Sequence, residues 1–331
     1  MSLRAIIKYR GWKAWQTHDM HVTLLAIFYI LLVDHIFEPL AATILVLIFG
    51  LYFMCGFLIN DFFDRASDIE AGKIRAVQEL PRWMFIGIIL ASILVIIIFL
   101  WYLSNIFFAV LYGFSFFLGT LYSTPFVRFK ERGFVGIVIN ALTEKMLPVL
   151  AIFIFFNHFG IDTIIFIITT FLLQTIEIMT HQIYDYEADQ KTGTRTFAID
   201  VGKEKALKLF SSVIVPLSLF FMILLCSLIA IKIPYAVFIV IAVAIVYLVI
   251  GILVSKGRLH MEEKILPLYM SPLYLLINNA FPLLLALFLI NASPQYILLL
   301  VVAFVSQYYL FKQLFILIRD GIIPRTEIAD T

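Results

Sequence analysis

Residues 39–68 read PLAATILVLIFGLYFMCGFLINDFFDRASD, an apolar run that ends in three aspartates. A helix that crosses a membrane needs about 20 largely apolar residues, and the part of this stretch before the aspartates is long enough. Asp61, Asp64 and Asp68 then follow at spacings i, i+3 and i+7. If the helix continues through them, their carboxylates fall on one helical face. The stretch therefore predicts a membrane helix with an acidic end.

The composition of the whole chain is that of a membrane protein. Of the 331 residues, 63% are hydrophobic and 14% are charged, whereas a soluble domain carries roughly 45–50% apolar and about 25% charged residues. The net charge of +2 gives no indication of a nucleic-acid partner. Cys55 and Cys226 lie in apolar runs, so we predict neither a disulfide nor a zinc site. The polar, basic N-terminal residues predict no cleavable signal peptide.

Ten segments have the length and apolar character of a membrane helix. Their approximate bounds are 20–37, 39–60, 82–104, 106–123, 134–156, 161–184, 206–231, 234–255, 267–290 and 295–318. We therefore predict an all-α, polytopic membrane protein in which residues 1–331 form a single domain.

Basic residues predict the orientation of these segments, because lysine and arginine are enriched in cytoplasmic loops. With ten segments, 22 of the 24 Lys and Arg residues fall on one side. The exceptions are Lys145, inside the fifth segment, and Lys232, in a short loop on the other side. The prediction is a multi-pass protein of the cell inner or plasma membrane with both termini cytoplasmic. The longer charged loops, near 61–81 and 185–205, then place the chemistry at the cytoplasmic face.

A second acidic motif ends the sixth segment. It reads Asp185-Tyr186-Glu187-Ala188-Asp189, so Asp185 and Asp189 stand at i and i+4. Both motifs end an even-numbered segment on the same side, and they are therefore expected to face each other across the bundle. Ordinary helix ends neutralised by lysine and arginine are the alternative, but two motifs in matching positions favour a functional site.

Opposed carboxylates of this kind predict a divalent-cation site. Oxygen-only ligation suits Mg²⁺, which typically bridges carboxylates to substrate phosphates. Bound to a diphosphate, such ions neutralise the leaving group and polarise the allylic C–O bond. The predicted metal ligands and catalytic residues are Asp61, Asp64, Asp68, Asp185 and Asp189.

At these residues the sequence resembles the intramembrane prenyltransferases of the UbiA superfamily. Asn60 and the first three aspartates match that family's N-D-x-x-D-x-x-x-D motif. Asp185, Asp189, Gly193 and Thr196 match its D-x-x-x-D-x-x-x-G-x-x-T motif. Tyr122-Ser123-Thr124-Pro125, followed by Arg128, Phe129 and Lys130, resembles the family's basic loop between helices four and five.

The resemblance implies an all-helical bundle around a central cavity. Members commonly have nine spans and ten segments are counted here, so the prediction is nine to ten transmembrane helices. The resemblance implies a Mg²⁺-dependent enzyme that transfers a prenyl group from a prenyl diphosphate to a lipophilic or aromatic acceptor, with a quinone precursor as the leading expectation. It also implies that Tyr122 contacts substrate. The residues that follow the first motif depart from the Asn-Arg-Pro type of many members, which weakens the expectation of a quinone-pathway acceptor.

Four polar residues near the motifs are candidates to bind the substrate. Asn60 is predicted to orient a metal-bound carboxylate or to contact the diphosphate, with helix capping as the alternative. Lys73, Arg128 and Lys130 are predicted to hold phosphate oxygens. Their alternative role, which is equally compatible with the sequence, is to set the membrane topology.

Glu177 and His181 form a polar stripe with Asp185 that runs from the membrane interior toward the second motif. Ionisable groups at this depth are costly and usually face a cavity or each other. One hypothesis is that Glu177 or His181 binds the acceptor or removes its proton. The other is that Glu144, Lys145 and Glu177 form a polar network that only fixes helix packing.

Other interpretations of the motifs are also compatible with the sequence. A terpene cyclase of the same fold, or a transferase acting on a polyprenyl phosphate, also needs a metal-bound diphosphate. A transporter is disfavoured because the acids lie at one face rather than at the bilayer centre. The matching positions of the two motifs, on the second and sixth segments, suggest duplication of a four-helix unit.

Overall fold

A computed structural model describes residues 10–70, 81–255, 270–308 and 310–312. Helices dominate the described chain, and the only β-type pairing recorded within it is an isolated bridge between Gly133 and Thr196. Lys73 and the end of the predicted segment 295–318 lie outside the described residues.

We number the helices in chain order. They are α1 (His18–Val33), α2 (Pro39–Phe63), α3 (Arg65–Glu70), α4 (Arg82–Leu103), α5 (Ile106–Ser123), α6 (Gly133–Phe155), α7 (Ile161–Tyr184), α8 (Tyr186–Thr192), α9 (Phe197–Val201), α10 (Lys203–Lys232), α11 (Ala236–Ser255), α12 (Pro272–Ala292) and α13 (Ile297–Ser306).

Each of the ten predicted segments overlaps one of the longer helices, but the predicted number of membrane spans is not confirmed. Among the described residues, seven helices are long and apolar enough to cross a membrane: α2, α4, α5, α6, α7, α10 and α12. Helix α1 is shorter, with 16 residues. The described apolar parts of α11 and α13 are also short.

Helix α1 lies at the centre of the bundle. Its side chains from Asp19 to Leu31 are all buried, and from Leu24 to Leu31 the helix is largely apolar on every side. Helices α2, α6, α12 and α13 pack around it. Helix α4 is the opposite case, because only 17% of its most apolar window is buried although that window is the most hydrophobic of the seven. We infer that lipid covers most of α4.

Three of the long helices contain a π-helical turn at the same distance from a proline. The turns are Leu142–Met146 in α6, Phe210–Ile214 in α10 and Leu276–Ala280 in α12. Pro148, Pro216 and Pro282 each come two residues after the turn ends. Proline has no N–H to donate and clashes with the carbonyl of the preceding turn, so one wider turn relieves the conflict. The π turns of α6 and α12 contain buried polar side chains, namely Thr143 and Lys145 in α6 and Asn278 in α12.

Candidate active site

A cavity of about 610 Å³ lies between α1, α2, α5, α6 and α7, and we call it cavity one. The end of cavity one beside the first acidic motif is polar, its walls are aromatic in part, and its inner part is polar again. Among its lining residues are Asn60, Asp64, Tyr122, Ser123 and Lys130 at the motif end, Phe53, Phe57 and Phe116 on the walls, and Asn140, Glu144, Gln174, Glu177 and His181 from α6 and α7.

The first motif does not continue as one helix, contrary to the expectation from its spacing. Helix α2 ends at Phe63, and Asp64 has φ −89° and ψ 0°, in the sparsely populated bridge region. The Asp64 N–H still bonds the Asn60 carbonyl at 2.9 Å, so the chain turns only after this residue. A new short helix, α3, contains Asp68. The three aspartates therefore do not share one continuous helical face.

The Asp64 carboxylate is held by two cations. Lys130 Nζ donates to Asp64 Oδ1, and Arg128 Nη2 lies 3.5 Å from the same oxygen. Arg128 itself has a left-handed backbone (φ 45°), which turns the chain after α5 back toward the end of α2. Burial lowers the pKa of Lys130, and the charge of Asp64 opposes that effect only in part. Lys130 is thus a poorly solvated cation beside a carboxylate.

The other predicted residues of the first motif lie close to this pair. Asn60 Oδ1 accepts a hydrogen bond from Ser123 Oγ at 3.0 Å, which joins α2 to the end of α5. Asp61 is 1% exposed. Tyr122 lines cavity one with Asn60 and Asp64. The partner Ser123 was not predicted as a site residue, although it lies inside the Tyr-Ser-Thr-Pro stretch that indicated the loop.

The second motif forms a separate short helix after α7. Asp185 follows the last residue of α7 with φ −83° and ψ 2°, and Asp189 N–H bonds the Asp185 carbonyl at 2.8 Å. The predicted i, i+4 relationship of these two aspartates is therefore a real helical turn. Gly193 ends α8 with φ +71°, a conformation that glycine adopts without strain. Thr196 Oγ1 then lies 3.5 Å from Asp189 Oδ2.

The structure does not bring the two motifs together at one cavity wall. Asp64 lines cavity one, whereas Asp61, Asp185 and Asp189 do not, and Asp185 is exposed. Within the described residues, no group of three or more His, Cys, Asp or Glu side chains is close enough to hold a metal ion. Neither the side chain of Asp68 nor Lys73 is among the described parts. The assignment of five aspartates to metal binding stays a prediction.

A buried polar network connects three helices at the inner part of cavity one. Lys145 has a fully buried side chain and donates to Glu177 Oε2 at 2.5 Å, while Asp19 Oδ1 lies 3.3 Å from the same ammonium. Gln174 accepts from Lys145 and donates to Glu144 and Asn140. The π turn of α6 contains both Glu144 and Lys145.

This network confirms the predicted contact between Lys145 and Glu177 and extends it. Asp19 and Gln174 were not predicted as members. Gln174 lies one helical turn before Glu177 on α7, and this spacing was the available signal. His181 lies one turn further on and lines cavity one without joining the ion pair of Lys145.

Comparison with known proteins agrees with this architecture. The family model described as the UbiA prenyltransferase family matches residues 20–271. A UbiA homolog from Aeropyrum pernix K1 in its apo form superposes with a TM-score of 0.57 at 14% identity, covering 83% of this chain and 98% of that chain. No curated protein matches the sequence.

Two further solved structures contain ligands. A UbiA homolog from Archaeoglobus fulgidus bound to GPP and Mg²⁺ has a TM-score of 0.51 and 18% identity, covering 91% of this chain and 99% of that chain. The same homolog bound to DMAPP and Mg²⁺ has a TM-score of 0.53 and 17% identity, with coverage of 91% and 99%. Identities this low establish the shared fold alone, but the family match spans most of the sequence, and the chain belongs to the UbiA prenyltransferase family.

Proposed function

We propose that this protein transfers a prenyl group from a prenyl diphosphate to a lipophilic or aromatic acceptor within the membrane. The observation that carries the proposal is cavity one, which combines a charged end with apolar walls inside a membrane bundle. A prenyl diphosphate has the same two-part character, with an anionic head and a hydrocarbon tail. The expected acceptor is an aromatic compound or a quinone precursor.

The diphosphate head would lie at the motif end of cavity one. Lys130 and Arg128 already converge on one carboxylate there, so a diphosphate placed beside Asp64 would meet two basic side chains. Arginine and lysine bind phosphate oxygens through charge-assisted hydrogen bonds. Asn60 and Tyr122 line the same end and would contact the head group.

The prenyl chain would lie along the apolar wall formed by Phe53, Phe57 and Phe116. Tyr52 is eight residues before Asn60 on α2, so the cavity follows the helix for about 12 Å at a rise of about 1.5 Å per residue. The aromatic rings along this path would also stabilise positive charge that develops on the allylic carbon.

The oxygen ligands of the two motifs fit Mg²⁺. Carboxylate oxygens are the ligands that this hard cation prefers. The Asp64 carboxylate already pairs with two cationic side chains, Lys130 and Arg128. Asp61, Asp64, Asp68, Asp185 and Asp189 would hold two or three Mg²⁺ ions around the diphosphate. When bound, these ions would neutralise the diphosphate as a leaving group. The structures of the Archaeoglobus homolog with GPP or DMAPP and Mg²⁺ support the same pairing of ligand and metal.

Glu177 and His181 would serve the acceptor, because both line cavity one near the apolar path of the donor. The acidic motifs would lie at the cytoplasmic face, together with both termini. The support for that orientation is the strong asymmetry of lysine and arginine, since α2 and α7 end on the side where 22 of the 24 basic residues lie.

The test is pyrophosphate release by the purified protein in detergent with Mg²⁺. Farnesyl and geranylgeranyl diphosphate would each be supplied with and without a panel of aromatic acceptors. Release that requires an acceptor and Mg²⁺ supports a prenyltransferase. Release without any acceptor would indicate a cyclase or a hydrolase instead. A folded protein that releases nothing from either donor contradicts the proposal.

A further inference from the structure

A second cavity, of about 430 Å³, lies between α1, α7, α11 and α12, and we call it cavity two. Three side chains line both cavities: His18 from α1, and Glu177 and His181 from α7. These residues form a common wall. The two cavities therefore adjoin at these three ionisable side chains.

The far wall of cavity two is built by the π turn of α12. Asn278 and Asn279 are consecutive in that turn, and both line the cavity. Asn279 Nδ2 donates to Gln307, so its orientation is fixed. Asn278 is 1% exposed, and within the described chain neither polar atom of its side chain has a hydrogen-bond partner. Unpaired buried amides are costly, which makes Asn278 a position where a ligand would be favourable.

Other polar groups that line cavity two are unpaired as well. Tyr274 Oη, Thr180 Oγ1 and Glu177 Oε1 are buried without a hydrogen-bond partner among the described residues. Glu177 Oε2 is occupied by Lys145, so Oε1 is the remaining acceptor of that carboxylate. Cavity two thus offers an amide, a phenol, a hydroxyl and a carboxylate oxygen to a small polar molecule.

The charges that line cavity two limit the class of ligand that it can bind. Within its described lining there is no lysine or arginine, and the only carboxylate is that of Glu177. Glu177 is already paired with Lys145, and an anionic ligand would find no lysine or arginine in this described lining; the other ionisable side chains there are His18 and His181. Rings of Tyr247 and Tyr274 add flat apolar surface, which favours an aromatic ring.

We propose that cavity two is the acceptor subsite and that it selects a neutral, hydroxylated aromatic acceptor, of the phenol or hydroquinol class, over one that carries a carboxylate or phosphate. This inference rests on the proposed prenyl transfer and adds the charge class of the acceptor to it. Asn278 and Tyr274 bind the hydroxyl groups, and Glu177 Oε1 accepts a hydrogen bond from one of them.

The reaction takes place where the two cavities adjoin, beside the common wall. The bond between C1 of the donor and its diphosphate oxygen breaks, and the electron pair leaves with the diphosphate. A new bond forms between the acceptor and C1. The proton that the acceptor loses passes to the imidazole of His181, which lines both cavities.

The experiment measures binding of two phenols by ligand-detected NMR with the full-length protein in detergent. 4-Hydroxybenzyl alcohol is the neutral probe, and 4-hydroxybenzoate is its anionic counterpart of similar size. We expect the neutral probe to bind at least tenfold more tightly than the anion. Asn278→Leu and Tyr274→Phe should each weaken the neutral probe by about tenfold, the usual effect of losing a hydrogen bond to a buried group. The Tyr274→Phe variant keeps the size of the ring and so guards against misfolding.

Thr175→Val is the matched control, because Thr175 lies on α7, lines neither cavity and bonds only the Phe171 carbonyl. It should bind the neutral probe like the unmodified protein. Equal binding by all variants, preference for the anion, or no binding of the neutral phenol overturns the proposal. Mg²⁺-dependent binding of geranylgeranyl diphosphate is measured in the same samples. If that binding is absent while the phenol result holds, the proposed prenyl transfer fails and the phenol site stands.

Discussion

Asp64 and Asp185 occupy the same backbone position at the ends of two different membrane helices. Each is the first residue after its helix, with φ and ψ of −89° and 0° for Asp64 and −83° and 2° for Asp185. Each N–H bonds the carbonyl four residues earlier at 2.9 Å, to Asn60 and His181 respectively. A short helix follows both. This equivalence favours duplication of a four-helix unit, because α2 and α7 correspond to the second and sixth predicted segments.

The equivalence predicts that the two aspartates are needed to a similar extent. Asp64→Asn and Asp185→Asn should each reduce Mg²⁺-dependent pyrophosphate release by about a hundredfold or more, because each removes a charge that holds the metal and diphosphate. Initial rates at saturating donor, over a range of Mg²⁺ concentrations, measure the effect.

Glu187→Gln is the control for these variants. Glu187 lies in the second motif between Asp185 and Asp189, but its side chain is 75% exposed and pairs with Lys203. We expect its activity to remain within about twofold of the unmodified protein, because an exposed pair contributes little. A loss as large as that of Asp185→Asn would mean that net negative charge, not position, explains the effect.

The contact between Lys130 and Asp64 predicts a pH dependence of donor use. Because burial lowers the pKa of Lys130 below its ordinary value of 10.5, the ammonium loses its proton at a lower pH than an exposed lysine does. kcat/KM for the donor should therefore fall on the alkaline side as the cation is lost. In Lys130→Arg this decline should move to higher pH, since arginine stays charged. The two proteins are compared by initial rates measured from pH 7 to pH 10 at the same donor concentrations.

A matching effect is expected when the charge is removed at neutral pH. Lys130→Met should raise the donor KM by about tenfold, in keeping with a lost charge-assisted contact to phosphate. Arg132→Met serves as the comparison, because Arg132 belongs to the same loop but its Nε bonds the Val127 carbonyl. An equal increase for both variants would indicate a general effect of loop charge.

The buried position of Lys145 predicts a large cost when its charge alone is removed. Lys145→Met leaves Asp19 and Glu177 close together without their cation, and loss of one partner of a buried pair costs about 3–5 kcal/mol. Adding Glu177→Gln should recover part of that stability, because the unpaired charge is removed as well. Thermal unfolding in detergent measures both. A double variant no more stable than Lys145→Met would argue against the pair as the cause.

Much of the bundle could be predicted from the sequence, because apolar length is a local property. The predicted bounds 106–123 and 161–184 coincide with α5 and α7. The turn at Asp64 was not predictable from the same pattern, since the spacing i, i+3, i+7 reads as a continuous helix. The buried contact between Lys145 and Asp19 could not be predicted from the sequence either. These residues are 126 positions apart, and only the packing of α1 against α6 brings them together.

The site was predictable to the extent that its residues lie in one motif or one loop. Asn60, Asp64, Tyr122 and Lys130 all line cavity one. Cavity two was not predicted, although Asn278 and Asn279 are polar residues in an apolar segment. Whether these two asparagines line a cavity depends on the π turn and on which helix packs against it, and neither follows from hydropathy.

The opposite end of the bundle contains a histidine cluster that should make stability depend on pH. His158, in the loop before α7, bonds Asp34 Oδ2 through Nδ1 at 2.6 Å and Asp162 Oδ2 through Nε2 at 2.8 Å, and Tyr29 donates to the same Asp162 oxygen. Burial lowers the pKa of His158, but the two carboxylates outweigh it, so the net pKa is raised above 6.5. A raised pKa means that the folded protein binds the proton more tightly than the unfolded chain does.

The sign of the effect follows from that direction. The stabilisation is fully present below pH 6.5, the ordinary value, and is lost as the pH rises through the raised value of the folded protein. We therefore expect the unfolding temperature of the unmodified protein to fall between about pH 6 and pH 9. His158→Gln should be less stable than the unmodified protein at pH 6, and its own stability should change little from pH 6 to pH 9. His35→Gln is the control, because His35 is a neighbouring histidine to which no described ion pair is assigned. If His158→Gln keeps the full pH dependence of the unmodified protein, the proton is bound elsewhere.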